Sequence, residues 1–373
     1  MSFFGGSNAA TATASASNTD AKDIDVPNPP DDSISRVAFC PTADVLSVSS
    51  WNGEVRLYDI SPSNGQSAPK AMYKHDGPVL DLCWSKDGSK LFSGSADKSA
   101  KAFDMTTGQG SQVAAHDAPV SALRWVEAPT GGVLATASYD KSLRYWDLKS
   151  PTPVSTVALP ERCYSMDVVY PLMVIGTAEK HICVINLTNP TTIFKTMTSP
   201  LKWQTRVVSC FPSGNGFAIG SIEGRVAIQY VEDKDTTLNF SFRCHRKDLS
   251  PTQKDTSLVY AINAITFHPQ HGTFATSGGD GTTSFWDKDS KTRLKTFDPA
   301  SGPVVSNTIS TLYFDLSDFL LQVSSSFDRS GTIFAYAVAY DWYKGYSGMV
   351  ANHPNQIFLH ACKDEEIKKR PKK

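Results

Sequence analysis

The sequence predicts an all-β fold: a seven-bladed β-propeller closed into a ring by an N-terminal strand that pairs in the last blade. Three observations predict it. A four-part unit recurs at a period of about 40–45 residues, the spacing that propeller blades show. Each unit reads as short strands divided by tight turns. A strand-like piece near residue 25 is left over at one end of the chain, and the last unit lacks an outer strand at the other.

The recurrence is plainest between "SGSADKSAKAFDM" (93–105) and "TASYDKSLRYWDL" (136–148). A full unit opens with a short apolar strand such as "PVLDLCW" or "PVSALRW". A turn follows, then a small-residue strand, a tight turn, and a strand ending in an aromatic and an acid. The copies run Ile34–Ile60, His75–Met105, His116–Leu148, Arg162–Leu187, Val207–Val231 and Ala261–Lys288. Their closing residues are Asp59, Asp104, Asp147, Asn186, Tyr230 and Asp287; the last gap is long because Val231–Tyr260 contains an insertion.

The seventh copy is irregular. "FDRSGTIFAYAVAYDW" (Phe327–Trp342) supplies its turn and second strand, and "VSSSF" (Val323–Phe327) the strand before it. Val304–Gln322 has no slot in the unit. It reads either as an inserted surface loop or as a segment foreign to the mature chain. Six outer strands are assignable: "PKAMYKH", "SQVAAHD", "PVSTVAL", "TTIFKTM", "NFSFRCH" and "TRLKTFD". The seventh is missing after "QIFLHA", and "KDIDVP" near residue 25 is the spare. Pairing the two removes the exposed edge that an open array would carry.

Bulk composition agrees. The chain has 373 residues, 40% of them hydrophobic, and a formal charge of −1. That supports a sizeable core and argues against wholesale coating of nucleic acid, although a local basic patch stays open. Seven cysteines with no C-x-x-C spacing suggest neither a disulfide framework nor a zinc site, and fit a reducing compartment. No apolar run reaches the length of a membrane span, so no membrane insertion is expected. Residues 1–22 read as a flexible Ala/Ser/Thr-rich tail without the layout of a secretory signal. Residues 23–362 form the propeller, with 304–322 as the insertion in blade seven. Residues 363–373, ending "KKRPKK", read as a basic tail, either solvated or making a nuclear-localisation or polyanion contact.

The third copy explains why the unit is stable. His116, Ser138, Asp140 and Trp146 have the spacing of the buried hydrogen-bonded tetrad of WD repeats. The imidazole bridges acid and hydroxyl while the indole shields them, as buried polar groups require. Copy two keeps His75, Ser95 and Asp97 but has Phe103 for the Trp. Copies four and five put Glu179 and Glu223 in the Asp slot, so their networks must differ.

Catalytic readings fail. The His and Asp residues recur with the repeat, which makes them structural. "HPQH" (His268, His271) has no third ligand nearby, so no metal is expected. "SGNGFAIG" lies between two strands, not before a helix, and is a hairpin turn rather than a phosphate loop. No nucleophile elbow or P-loop occurs. No cofactor and no enzyme activity are expected, and a propeller enzyme would need a channel constellation the sequence lacks. A ubiquitin-ligase adaptor is a weaker binding-protein reading.

Beyond the generic scaffold, "PDDSISRVAF", "SWNGEVRLYD", "AHDAPVSALRW", "TASYDKSLRYWDL", "IGSIEGRVAIQY", "NFSFRCHR", "AINAITFHP", "SFWDKDSKTRLKTF", "IFAYAVAYDWYKG" and "IFLHACKDEE" are specific. From about Asp23 to Lys369 the chain resembles the WD-repeat mRNA export factors of the nuclear pore. It departs from them in the Val304–Gln322 insertion and the short Ala/Ser/Thr tail. The resemblance implies a non-enzymatic adaptor that binds the GLEBS motif, a hairpin-like segment of an FG-repeat nucleoporin, contacts mRNA or single-stranded RNA, and works in the nucleus, at the nuclear pore and envelope, and in the cytoplasm. It also implies contact with spindle-checkpoint proteins. The related mitotic-checkpoint WD-repeat family, which binds GLEBS motifs of checkpoint kinases, is the alternative; "YDW-x-KG" and "DKDSKTRLK" favour the export family.

The resemblance carries two sets of residues. Arg225, in "EGR", matches the family's hairpin-contacting arginine, and a guanidinium can grip a carboxylate with two bonds. Trp51 and Tyr139 sit in equivalent tight turns of copies one and three and are expected to anchor the same partner. The second set is a basic groove for RNA: Trp286, Lys288, Lys291, Arg293 and Lys295 with Phe242 of the adjoining blade. Cations flanked by aromatics suit phosphates and stacked bases.

Overall fold

The computed structural model describes residues 23–128, 131–250, 253–297, 322–340, 345 and 355–370, with the side chains of 249, 250 and 253–256 left aside. The tail 1–22, the segment 304–321, the "DW" at 341–342 and the final residues 371–373 lie outside them.

Strand propensity and turn chemistry set the elements. The second and third strands of each blade are buried on both faces and read as runs of β-branched and small residues, such as Leu172–Thr177 (LMVIGT) and His181–Asn186 (HICVIN). Tight turns between them rest on left-handed residues: Gly53 at φ 85°, Lys98 at 72°, Lys141 at 62° and Gly224 at 62°. The result is seven four-stranded antiparallel sheets, with one further two-stranded ribbon formed by Arg246–Ser250 and Gln253–Val259. Within six sheets the strands follow chain order from inside to outside. Blade seven runs Gln322–Phe327, Ile333–Val338, Gln356–Ala361 and then the N-terminal Ile24–Asp25. Ring closure by the N-terminal strand is therefore present: Ile24 pairs with Leu359 and Asp25 with Phe358.

Two boundaries differ from the sequence reading. Gln322 opens the inner strand of blade seven and is 1% exposed, so that strand claims the last residue assigned to the insertion. Residues 363–370 run back over blade six. A short helix, Asp364–Ile367, buries Glu366 and Ile367, and Thr273 donates to the Ile367 carbonyl at 2.6 Å. The Ile367 side chain explains the docking, since it completes an apolar cluster with Phe285, Leu294 and Phe358.

Apolar clusters fill the seams between neighbouring blades. Polar side chains on the inner strands fasten the same seams. Ser35 donates to the Val79 carbonyl at 2.6 Å, Ser121 to the Cys163 carbonyl at 2.9 Å and Asn263 to the Gln322 carbonyl at 2.8 Å. The backbone N–H of Val37 donates to Ser324 at 3.1 Å, joining blade one to blade seven. All seven cysteines are unpaired thiols.

Candidate functional site

The tetrad comes first because it positions the turns that carry the site. In blade three Trp146 Nε1 donates to Thr136 Oγ1 at 2.8 Å, and Thr136 Oγ1 lies 2.8 Å from His116 Nε2. His116 Nδ1 lies 2.8 Å from Asp140. Burial pulls the imidazole below its usual value despite Asp140, so a neutral ring donates from Nδ1 and accepts at Nε2. Burial raises Asp140, but hydrogen bonds from Ser142 and His116 outweigh it and bring the carboxyl down to about 2.

The hydroxyl of the tetrad is thus Thr136, and the assignment of Ser138 is corrected. Both residues point to one side of the strand, two positions apart. Ser138 is too close to the turn: it donates to the Ala118 carbonyl and accepts from the Asp140 N–H, each at 3.0 Å. Blade two repeats the shift, with Ser93 rather than Ser95 at 2.7 Å from His75 Nε2. There Tyr73 replaces the indole, donating to Ser93 at 2.9 Å while stacked on Phe103. Blade six holds a complete tetrad that the sequence reading missed: His245, Thr276, Asp280 and Trp286. In blade four, by contrast, the Glu179 side chain is 74% exposed. Thr136→Val strands His116 Nε2 and Trp146 Nε1 together and is expected to cost about 3 kcal/mol in urea unfolding, against about 1 kcal/mol for Ser138→Ala. Equal losses would return the tetrad to Ser138.

The turns that follow each second strand lie on one face of the ring. Their first residues alternate in size. Trp51, Tyr139 and Ile222, in blades one, three and five, are 42%, 40% and 39% exposed. Ala96, Ala178 and Gly279 hold the same position in blades two, four and six, each donating its N–H to the loop entering the blade's inner strand, as Trp51, Tyr139 and Ile222 do. Tyr139 rests edge-on against Tyr164 at 6.2 Å. Trp203, in the loop leading into blade five, adds a further exposed ring on this face.

Arg225 opens the third strand of blade five, next to that face. Its Nε lies 3.9 Å from Glu223, too long for a hydrogen bond. Arg243 stands directly across the sheet from it, and Arg246 donates to the Glu223 carbonyl at 2.9 Å. Three arginines therefore stand close together here, with Glu223 the acid beside Arg225. Like charges set opposite each other in a sheet repel, so the cluster carries a local excess of positive charge. The sequence reading found Arg225 alone; "FRCHR" carried the other two.

The second set divides. Arg293 pairs across the sheet with Trp286 and Lys295 with Phe285, so the β-bulge at Leu294 sends the two cations, which plain alternation would put together, to opposite faces of blade six. Trp286 faces blade five, with Phe242 at 4.5 Å, and also serves its tetrad. Exposed Lys291 lies 4.8 Å above the Phe240 ring, and Phe240 and Phe242 share a face because they are two residues apart on one strand. That "F-x-F" spacing was the missed signal. Lys288 is corrected as a groove contact: its side chain is 12% exposed, held 2.6 Å from Asp289 and 5.0 Å over the Phe211 ring. Lys295, its side chain 39% exposed, lies on the side of the C-terminal helix, 3.9 Å from buried Glu366. Lys369 from the chain end joins Asp289 at 2.5 Å, and Arg370 donates to the Leu294 carbonyl.

His268, one half of the metal-like pair, has both nitrogens engaged by backbone. Nδ1 accepts from the N–H groups of Gln270 and His271, each at 3.1 Å, and Nε2 lies 3.2 Å from the Gly331 carbonyl. Among the described residues no cluster of three His, Cys, Asp or Glu is arranged to hold a metal, and no helix is long and apolar enough to cross a membrane.

Seven blades, with a His–Asp–hydroxyl network in at least three of them, define a WD-repeat propeller. Two domain families match: the WD40 domain of anaphase-promoting complex subunit 4 over residues 37–128, and the WD domain, G-beta repeat, over residues 254–287. Whole-chain relatives are more specific. The "Poly(A)+ RNA export protein" of Schizosaccharomyces pombe is 53% identical over 375 residues, covering 100% of this chain and 99% of that protein. The "mRNA export factor GLE2" of Chaetomium thermophilum is 49% identical over 97% of this chain and 96% of its own length. "Protein Rae1" of Drosophila melanogaster is 44% identical, with 94% and 97% covered. The chain belongs to the WD-repeat mRNA export factor family.

Proposed function

We propose that this protein is a non-enzymatic adaptor in mRNA export, working at the nuclear pore and moving between nucleus and cytoplasm. It takes the acidic, hairpin-like GLEBS segment of an FG-repeat nucleoporin on the face of Trp51, Tyr139 and Arg225. It contacts single-stranded RNA along the cleft between blades five and six. The observation that carries the reading is identity of 53% along the whole chain with a protein named for poly(A)+ RNA export.

The geometry supports both halves. Exposed Trp51 and Tyr139 offer large anchors on alternate blades, and the cluster of Arg225, Arg243 and Arg246 suits carboxylates. Arg225→Glu inverts the charge at the cluster's centre. It is expected to weaken a GLEBS peptide more than tenfold by calorimetry, with an unchanged melting temperature. Equal affinity would remove Arg225 from the interface.

For RNA, Phe240, Phe242 and Trp286 supply ring surface, with Lys291 and Arg293 beside them. Replacing Lys291 and Arg293 by Ala is expected to lower affinity for a single-stranded oligonucleotide. The slope of log affinity against log salt should shrink by about 1.4, the value for two phosphate contacts on a single strand. An identical slope would send RNA elsewhere.

A further inference from the structure

The axis of the ring is lined by charge out of balance. Arg36 of blade one, Asp81 of blade two, Arg124 of blade three, Asp167 of blade four and Arg206 of blade five all lie on inner strands. Three guanidinium groups face two carboxylates, an excess of one positive charge.

Both carboxylates are already committed. Asp81 takes Arg124 at 2.6 Å and the N–H groups of Leu82 and Leu123 at 3.0 and 3.1 Å. Asp167 takes Arg124 at 3.1 Å and the N–H of Cys210 at 2.8 Å. Arg124 is therefore satisfied from both sides. Arg36 is not: it reaches Asp81 only at 3.4 Å, and its Nε is enclosed without a hydrogen bond. Half-buried Arg206 has no ion pair among the described residues.

These arginines border one polar cavity of about 90 Å³, together with Ser35, Ser121, Tyr164 and Asn263. A single water needs only roughly 10–15 Å³ of such space. The cavity opens on the face that carries Trp51 and Tyr139, because the inner strands begin there beside the turns of the second strands. An enclosed guanidinium nitrogen left without an acceptor is costly. Two guanidinium groups lining one polar cavity supply the N–H donors that oxyanions favour.

We propose that the mouth of the central channel is an oxyanion site, sized for one phosphate or carboxylate group and held by Arg206 and Arg36. Phosphate and carboxylate share this chemistry but differ in source: free inorganic phosphate in one case, an acidic side chain of a docked segment in the other.

The test is thermal unfolding of the full chain in sodium phosphate and in sodium acetate, each against sodium chloride at equal ionic strength. The expected result is a saturable rise in melting temperature with phosphate, acetate or both. Arg206→Gln, which removes an uncompensated charge and is compatible with folding, should shift the midpoint of that response more than tenfold. Arg206→Lys should keep part of it, and Arg36→Gln should weaken it. A response to phosphate alone assigns the site to the free ion; a response to acetate assigns it to a carboxylate. No rise beyond chloride, or an Arg206→Gln response equal to that of the unaltered chain, overturns the proposal.

Discussion

A chain lacking residues 1–26 is expected to melt about 10 °C or more below the full protein and to aggregate. The deletion removes the outer strand of blade seven. Val26, fully buried, loses its place, worth about 1.5–3 kcal/mol. The ladder to Gln356–Ala361 loses its backbone hydrogen bonds, including Val26 N–H to the Ile357 carbonyl at 2.9 Å. Asp23 no longer meets His360 at 2.7 Å or accepts from Tyr336 at 2.5 Å. The summed loss exceeds about 5 kcal/mol, comparable to the net stability of many domains. The strand Gln356–Ala361, four of whose residues are buried, becomes an open edge for other chains. Calorimetry and size-exclusion chromatography check this; an unchanged melting temperature would mean that closure does not hold the ring.

His360→Gln is expected to remove about 3 kcal/mol at pH 7 and to flatten the stability profile above neutrality. The imidazole stands between Asp23 and Glu366, at 2.7 and 3.2 Å, with the Phe297 ring at 4.3 Å. Burial alone would lower its pKa; hydrogen bonds from the ring to Asp23 and Glu366 outweigh that and raise it to about 9. An unfolded histidine titrates near about 6.5. The folded state therefore binds the proton more tightly. Its stabilisation is complete below about pH 6.5 and is lost as pH rises through about 9. Glu366 has the opposite sign. Burial raises it, but His360 and the Lys363 N–H win and lower it, so its share is lost as the solution turns acidic. Urea unfolding at pH 6.5, 7.5 and 9 should show a falling free energy for the full chain and a nearly level one for the variant. Parallel profiles would remove His360 from the closure.

The architecture was legible because seven units repeat one pattern, and repetition averages out the noise of any single segment. "KDIDVP" could be matched to "QIFLHA" because a propeller leaves one strand over if and only if one is missing. Side-chain partnerships were less legible. Thr136 and Ser138 have the same direction from the strand and the same chemistry; depth alone decides which meets His116. The blade-six tetrad was hidden by distance along the chain. His245 and Asp280 are 35 residues apart, against 24 for His116 and Asp140, because the ribbon Arg246–Val259 intervenes. The basic run "DKDSKTRLK" looked like one patch because charge is counted along the sequence. A bulge at Leu294 then turned Arg293 and Lys295 apart, and Asp289 took Lys288.

The stitched seams of the inner strands have a consequence for selection. Ser35 and Ser121 tie blade one to two and blade three to four, and Asp81 and Ser165 accept backbone N–H groups across the seams two–three and four–five, so the spans separating Trp51, Tyr139 and Arg225 are set by the ring itself. A platform of that kind works as a gauge: it rewards a segment whose own grips match its intervals and gives little to one that is a residue too short. Loosening a seam would therefore blunt discrimination before it weakened the grip of any single contact.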